Sequence, residues 1–496
     1  MIAVAIAIAS QGVHALEKTV KLHPTAVNRR ALGDAYVRSR MFGRASDEYF
    51  KAGELLSKAG DGGAAKVLRT LGERYETTIN LFVERPHRLS SDSGIVAGAK
   101  YEPYCGCYLG AFIDRENAID SGFIGNGQSH KDPSAFNDAT GKHHAIYFTY
   151  LAYGRPFPTR WISVLRQRGA AAQIAWEPRS TSVVRDDGYL REFALECGNS
   201  RMPIFLRFAG EMNGDWTPYH RDPAAYKAMF RTVARVMHHL APNVAMVWCP
   251  NAVPEDRIAG YYPGKDAVDW VGVNFYSVLY YDGDKRRPAQ WRNPIDCLRF
   301  VYDAYSRDHP IMVCEWAASH RSIVDNRPRP DFAIEKIAEL YTAVPRLYPR
   351  VKAINWLSLN TIEHALPGRQ LNDFSLLGDS SVTAEYKEVV SSPYFLESVP
   401  DTGSLLSPID YAPVTNGLTL SGKLRLSAVV KSYDPRPSVV WTVDGDPSSP
   451  KKEPGAYEVF LDASKLKSKE AVISVAVRDS RGDLAGRRDV IVKVAG

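Results

Sequence analysis

The sequence predicts a multidomain protein: an α-helical repeat segment over residues 1–85, a (β/α)8 TIM barrel over residues 95–398 and a C-terminal β-sandwich over residues 403–496. Three observations predict it. Small and aromatic residues recur at helical spacing in the first part. Eight apolar strand runs then alternate with helical stretches. After about residue 400 the runs shorten and are separated by Gly, Pro and Asp turns. At 496 residues the chain is too long for one domain.

In the first segment, Leu32-Gly33-Asp34-Ala35-Tyr36 is followed by Ala45, Tyr49 and Ala52. These spacings resemble a tetratricopeptide repeat, whose small residues let two helices approach closely. Leu71-Gly72-Glu73-Arg74-Tyr75 repeats the signature. Such helices offer a surface for a protein partner. The apolar opening Met1–Ser10 lacks the basic n-region of a signal peptide and is too short to span a membrane as a helix. It reads as a signal remnant or as a repeat helix. Glu84–Gly94 is a polar linker.

The barrel strands are expected at Cys107–Ile113, His143–Ala152, Ala170–Pro178, Met202–Leu206, Asn243–Asn251, Val268–Tyr276, Pro310–Cys314 and Val351–Leu359. Helical stretches such as Trp161–Gly169 and Asp187–Gly198 intervene. Beyond the barrel, Trp441 is expected in the core of an immunoglobulin-like sandwich. That sandwich has no Cys and hence no inter-sheet disulfide. It reads as a spacer, with carbohydrate binding left open.

Composition excludes several classes. A net charge of +6 without long Lys/Arg runs does not imply nucleic acid. Six cysteines at Cys105, Cys107, Cys197, Cys249, Cys297 and Cys314 match no zinc spacing and no disulfide scaffold. No metal or organic cofactor is expected. No stretch has the length of a membrane-spanning helix.

The chemistry gathers at two strand ends. Arg207-Phe208-Ala209-Gly210-Glu211-Met212-Asn213-Gly214-Asp215-Trp216 follows the apolar run Met202–Leu206. Strand alternation would put Phe205, Arg207, Ala209 and Glu211 on one face. Glu315 ends a second buried run, sharing a face with Ile311 and Val313. At roughly thirty residues per strand–helix unit, these two Glu belong to the fourth and seventh strands and face each other across the barrel mouth. Two carboxylates about 5 Å apart are the machinery of retaining glycoside hydrolysis. Arg207 would favour the ionised form of Glu315.

With these motifs stands a resemblance. Arg207–Trp216, Val247–Asn251, Tyr261–Ser277 and Pro310–Ala317 are similar, in order and at barrel spacing, to glycoside hydrolase family 26, best known for β-mannanases. The resemblance covers roughly residues 100–380 and implies Glu211 as acid/base and Glu315 as nucleophile. It also implies Tyr276 as a hydrogen-bond partner of the nucleophile and Trp356 as a sugar platform. Trp216, His143, Trp176 and Arg207 are further substrate-site candidates, with His144 and Glu177 beside them. The expected function is retaining, endo-acting hydrolysis of a β-linked polysaccharide by a secreted or periplasmic protein. The alternatives are a hydrolase of an exopolysaccharide, β-glucan or β-xylan, or a non-catalytic polysaccharide-binding scaffold. One departure bears on this choice: the family usually has His before the acid/base Glu, and here Gly210 stands there.

Overall fold

The computed structural model describes residues 2–86, 98–400, 407–434, 437–448, 451–453, 456–466 and 468–495, with the side chains of 2–11 and 451–453 outside the description. Met1 and most of the polar linker fall outside it, and the rest of the apolar opening belongs to the first helix, Ile2–Leu22. The chain forms two compact units, Met1–Glu84 with Ala412–Gly496, and Arg85–Tyr411. The helices and the sandwich, expected as separate domains at the two ends, thus share one unit.

In that unit four helices, Ile2–Leu22, Ala26–Arg38, Phe42–Lys58 and Gly62–Tyr75, pack in sequence. Thr25 and Asp61 cap two of them by accepting from Asn28 and Ala64 amides. The two repeated glycines have a packing reason. A Cβ on Gly33 would lie 2.8 Å from the Tyr49 ring, and one on Gly72 would lie 2.9 Å from the Phe50 ring. Leu32, Ala35, Tyr36, Ala45, Tyr49, Ala52, Leu68 and Tyr75 form the core, joined by Tyr433 from the C-terminal part.

The helical pattern stops at Tyr75, not near residue 85. Thr78–Pro86 is a strand, with Ile79, Leu81 and Val83 pointing into the sandwich core. It pairs antiparallel with Lys423–Lys431 in a five-stranded sheet. β-branched alternation wins over helical continuation there because a partner waits far along the chain. The opposing five-stranded sheet carries Ser438–Val443, Glu470–Arg478 and Leu484–Val494. Trp441, Ile473, Val475 and Val490 fill the space between the sheets.

The second unit is a closed barrel of parallel strands: β1 (Cys107–Arg115), β2 (Ile146–Ala152), β3 (Ala171–Glu177), β4 (Ile204–Phe208), β5 (Val244–Trp248), β6 (Trp270–Asn274), β7 (Ile311–Trp316) and β8 (Val351–Leu359). β8 pairs with β1 and closes the ring. Helices cover it, except that β5 and β6 are joined by the short helix Glu255–Ile258 and 3-10 turns.

Inside, Tyr108, Phe205, Ala245, Val247, Met312 and Ala353 form an apolar layer. Polar residues follow toward the strand C-termini. Asn355 donates to Gln173 at 2.8 Å, and a Cβ on Gly110 would lie 1.8 Å from Asn355 Oδ1, so only glycine fits there. Cys249 and Cys314 flank Gly272, where a Cβ would meet their sulfurs at 2.9 and 2.5 Å. All six cysteines are buried and free.

Candidate active site

β4 delivers Arg207 to the upper interior of the barrel, where it is 2% exposed. β7 delivers Glu315, 4% exposed. Arg207 Nη1 makes a direct ion pair with Glu315 Oε1. Tyr276, two residues past β6, donates its hydroxyl to Glu315 Oε2 at 2.5 Å. Tyr150 of β2 also faces Glu315, and its ring lies 5.6 Å beneath the Arg207 guanidinium. Burial, followed by the Glu315 charge, pushes both phenols well above their ordinary range. Both therefore stay neutral and act as O–H donors. Burial lowers the Arg207 pKa, but the Glu315 charge and its other anionic neighbours outweigh it and hold the guanidinium charged.

Glu211 reaches the same place by another route. β4 ends at Phe208, so plain alternation does not carry the chain to Glu211. Ala209 and Glu211 instead take left-handed backbone, φ +48° and +58°. Each costs about 1 kcal/mol or more for a residue with a Cβ. Anchors hold the turn: the Ala209 amide donates to Trp176 O at 3.0 Å and the Glu211 amide to Cys249 O at 2.8 Å. Asn213, 1% exposed, ties it to the next loop through Asn251 O at 2.9 Å and Pro254 O at 3.1 Å.

Three donors converge on the Glu211 carboxylate. Trp216 Nε1 lies 2.6 Å from Oε2, and the amides of Asn251 and Asn274 lie 3.0 Å from Oε1. Gly214 leaves room for the Trp216 indole, since a Cβ there would lie 2.3 Å from the ring. Trp216 remains 44% exposed and offers a ring face to a ligand.

Glu177, at the end of β3, is a third carboxylate. It accepts from the Tyr219 hydroxyl and lies 3.6 Å from Arg207 Nη2. Burial raises its pKa, against the opposing pull of Arg207 and Tyr219.

Glu211, Glu315, Arg207, Tyr276 and Trp216 thus come together, and Trp356, Trp176 and His143 do not join them. Trp356 is fully buried on the outer face of β8, its indole N–H donating to Phe374 O at 3.1 Å and its ring 5.1 Å from Trp316. It is no sugar platform here, because alternation turns it away from Asn355, which faces inward. Trp176 is fully buried too, stacked 4.1 Å from Phe193. Its neighbour Glu177 takes the inward position, and adjacent strand residues cannot share a face. His143 precedes β2 at the opposite end of the barrel and bridges Glu397 O at 2.8 Å and Arg168 O at 2.9 Å. His144 is buried against Tyr386 and Asn137.

Asn274, Tyr150 and Tyr219 were not singled out by sequence. Asn274 and Tyr219 flank the Tyr276 and Trp216 motifs, a signal that could have found them. Tyr150 had none beyond its place in a strand. Among the described residues no group of three or more His, Cys, Asp or Glu could hold a metal ion. No described helix is long and apolar enough to cross a membrane.

Fold and site together define a (β/α)8 barrel domain with a carboxylate pair at the C-terminal ends of its fourth and seventh strands. Residues 188–287, which include Arg207, Glu211 and Tyr276, match the model of glycosyl hydrolase family 26. That stretch, about a fifth of the chain, is similar to the family. Endoglucanase H of Acetivibrio thermocellus is 23% identical over 291 residues, covering 54% of this chain and 30% of that protein. Beta-1,3-xylanase TXYA of Vibrio sp is 32% identical over 102 residues, 19% of this chain and 21% of that protein. The chain thus spans a third or less of the length of these curated relatives. Among solved structures, a GH26 beta-mannanase from Bacteroides ovatus has a TM-score of 0.41 at 14% identity, covering 61% of this chain and 92% of that one.

Proposed function

We propose that the barrel is a retaining, endo-acting β-glycoside hydrolase that cleaves a β-linked polysaccharide by double displacement. The observation that supports it best is the unequal surroundings of the two Glu. Glu315 is buried, ion-paired with Arg207 and hydrogen-bonded by Tyr276, the setting of an ionised nucleophile. Glu211 sits in a loop beside an exposed indole, the setting of a group that meets a leaving oxygen.

In the first step a Glu315 oxygen attacks the anomeric carbon as Glu211 gives its proton to the departing oxygen. The glycosidic bond breaks and a glycosyl ester forms. Arg207 and Tyr276 then face a neutral ester in place of a carboxylate. In the second step Glu211 takes a proton from water, the water oxygen attacks the same carbon, and Glu315 leaves as carboxylate. Two inversions give net retention.

The sugar is open among β-mannan, β-1,3-xylan, β-glucan and an exopolysaccharide, and Gly210 weighs against simple transfer of mannan specificity. A polymeric substrate favours a secreted or periplasmic setting, and the N-terminal helices are a candidate surface for a protein partner. The test is reducing-end release on a panel of these polymers, with NMR of the first anomer formed. A β-anomer from a β-glycan supports the reading. An α-anomer, or no release from any polymer, contradicts it.

A further inference from the structure

The space beside Gly210 has the chemistry of a hydroxyl pocket. A Cβ on Gly210 would lie 3.4 Å from Arg207 Nε and 3.6 Å from Glu177 Oε1. Arg207 is 2% exposed, and its Nε has no hydrogen-bond partner among the described residues. A buried N–H left without an acceptor is costly, so its persistence calls for a ligand or a water. Glu177 Oε1 meets Arg207 Nη2 at 3.6 Å, too long for a tight hydrogen bond, while its other oxygen takes the Tyr219 hydroxyl. The Glu177 side chain is 33% exposed, so this acceptor is reachable from the barrel mouth.

One open donor and one open acceptor therefore face the same space. A hydroxyl group satisfies both at once, accepting from N–H and donating to the carboxylate. The same guanidinium holds Glu315 through Nη1, which ties the space to the sugar unit under attack. We propose that a ring hydroxyl of that sugar enters the space left by the missing side chain at Gly210, accepts from Arg207 Nε and donates to Glu177 Oε1. Gly210 and Glu177 are then specificity-determining residues. This rests on the reading of the barrel as a β-glycan site.

The test separates the two ideas. Gly210 is not in left-handed backbone, and a methyl at 3.4 Å from Arg207 Nε is an ordinary contact, so Gly210→Ala should fold. The Glu211→Gln protein, with and without Gly210→Ala, is titrated by calorimetry with manno-, gluco- and xylo-oligosaccharides. At least one sugar should bind, and the added methyl should weaken it tenfold or more with the melting temperature unchanged. Glu177→Ala in the same background should weaken the same sugar by about ten- to a hundredfold, the usual loss for a hydrogen bond to a charged group. Equal affinity with and without the methyl overturns the proposal, leaving the space to water. So does the failure of every oligosaccharide to bind. Hydrolysis is measured separately with Glu211 intact. Methyl-sensitive binding without turnover would remove the hydrolase reading and leave the hydroxyl pocket standing.

Discussion

Asn274 joins the two halves of the site to each other through Glu211. Its amide nitrogen donates to Glu211 Oε1 at 3.0 Å, while its Oδ1 lies 3.5 Å from Nη1 of Arg207, the cation paired with Glu315. Cys249 Sγ, 3.1 Å from the same Oδ1, fixes which end of the amide points where. A single neutral side chain thus orients the proposed acid/base and the cation of the proposed nucleophile. Asn274→Ala should lower kcat/KM on a natural glycan by roughly ten- to a hundredfold, the loss expected for one hydrogen bond to a charged group. Asn274→Asp should lose more, because it sets a third negative charge between two carboxylates. Steady-state kinetics check both, and wild-type rates in Asn274→Ala would remove Asn274 from the chemistry.

The division into units makes a prediction about truncation. The change of pattern near residue 400 suggests a sandwich that could be cut away to leave a barrel. The structure shows what that cut would strip from the other unit. Thr78–Pro86 would lose its partner Lys423–Lys431, and Tyr75 would lose Tyr433, whose ring is 5.4 Å away. A strand without its partner and an opened apolar core favour aggregation. A protein ending near Pro400 should therefore be poorly soluble, whereas one limited to residues 85–411 should be soluble with a cooperative melt. Equal solubility of the two would show that the helices do not depend on the sandwich.

His144 should make stability fall in mild acid. Burial lowers its pKa to about 3 in the folded protein, against about 6.5 in an unfolded chain. As pH falls below about 6.5 the unfolded chain takes up this proton and the folded one does not, so stability is lost progressively down to about pH 3. At pH 5 that is about 2 kcal/mol from this residue. His144→Gln keeps hydrogen-bonding capacity without titrating. Denaturant midpoints at pH 7 and pH 5 should drop further for the native protein than for the variant, and parallel drops would contradict the assignment.

The legible parts of the site were those that depend on strand parity alone. Phe205 and Arg207 face inward as alternation requires. Glu315 does not share a face with Ile311 and Val313: Met312 and Cys314 take the interior positions of β7, and a register shift after Val313 turns Glu315 inward as well. Parity also explains the errors, because Glu177 faces inward and so Trp176 cannot, just as Asn355 turns Trp356 outward. Glu211 was placed correctly for a reason the sequence does not display: β4 stops at Phe208 and two left-handed residues finish the approach. His143 was read at the start of its strand, where it does lie, and the error was to count it in the site, because the carboxylates stand at the opposite, C-terminal ends of the strands. Thr78–Pro86 stayed hidden because its partner lies more than three hundred residues away, and local periodicity carries no information about such pairing.

The sharpest test concerns the division of labour between Glu211 and Glu315. Glu315→Ala should abolish turnover on every substrate, because no glycosyl ester can form. It should also remove the close partner of the buried Arg207 and leave only Glu177, 3.6 Å away, to compensate its charge, so some loss of stability is expected and the melting temperature must be read alongside. Glu211→Ala should instead depend on the leaving group. A natural glycan needs its departing oxygen protonated, so its rate should fall by roughly the 10²–10⁴-fold typical of lost acid catalysis. An aryl glycoside with an acidic phenol leaves without that help, so its first step should stay nearly intact. Its second step still lacks a base, so the glycosyl ester should accumulate to a burst and be visible as a mass increment on the protein. Azide, which needs no base, should restore turnover and yield a β-glycosyl azide. Full activity of Glu211→Ala on the natural polymer would move the acid elsewhere. Glu177, the remaining carboxylate whose side chain reaches the Arg207 guanidinium, would then be the group to replace next.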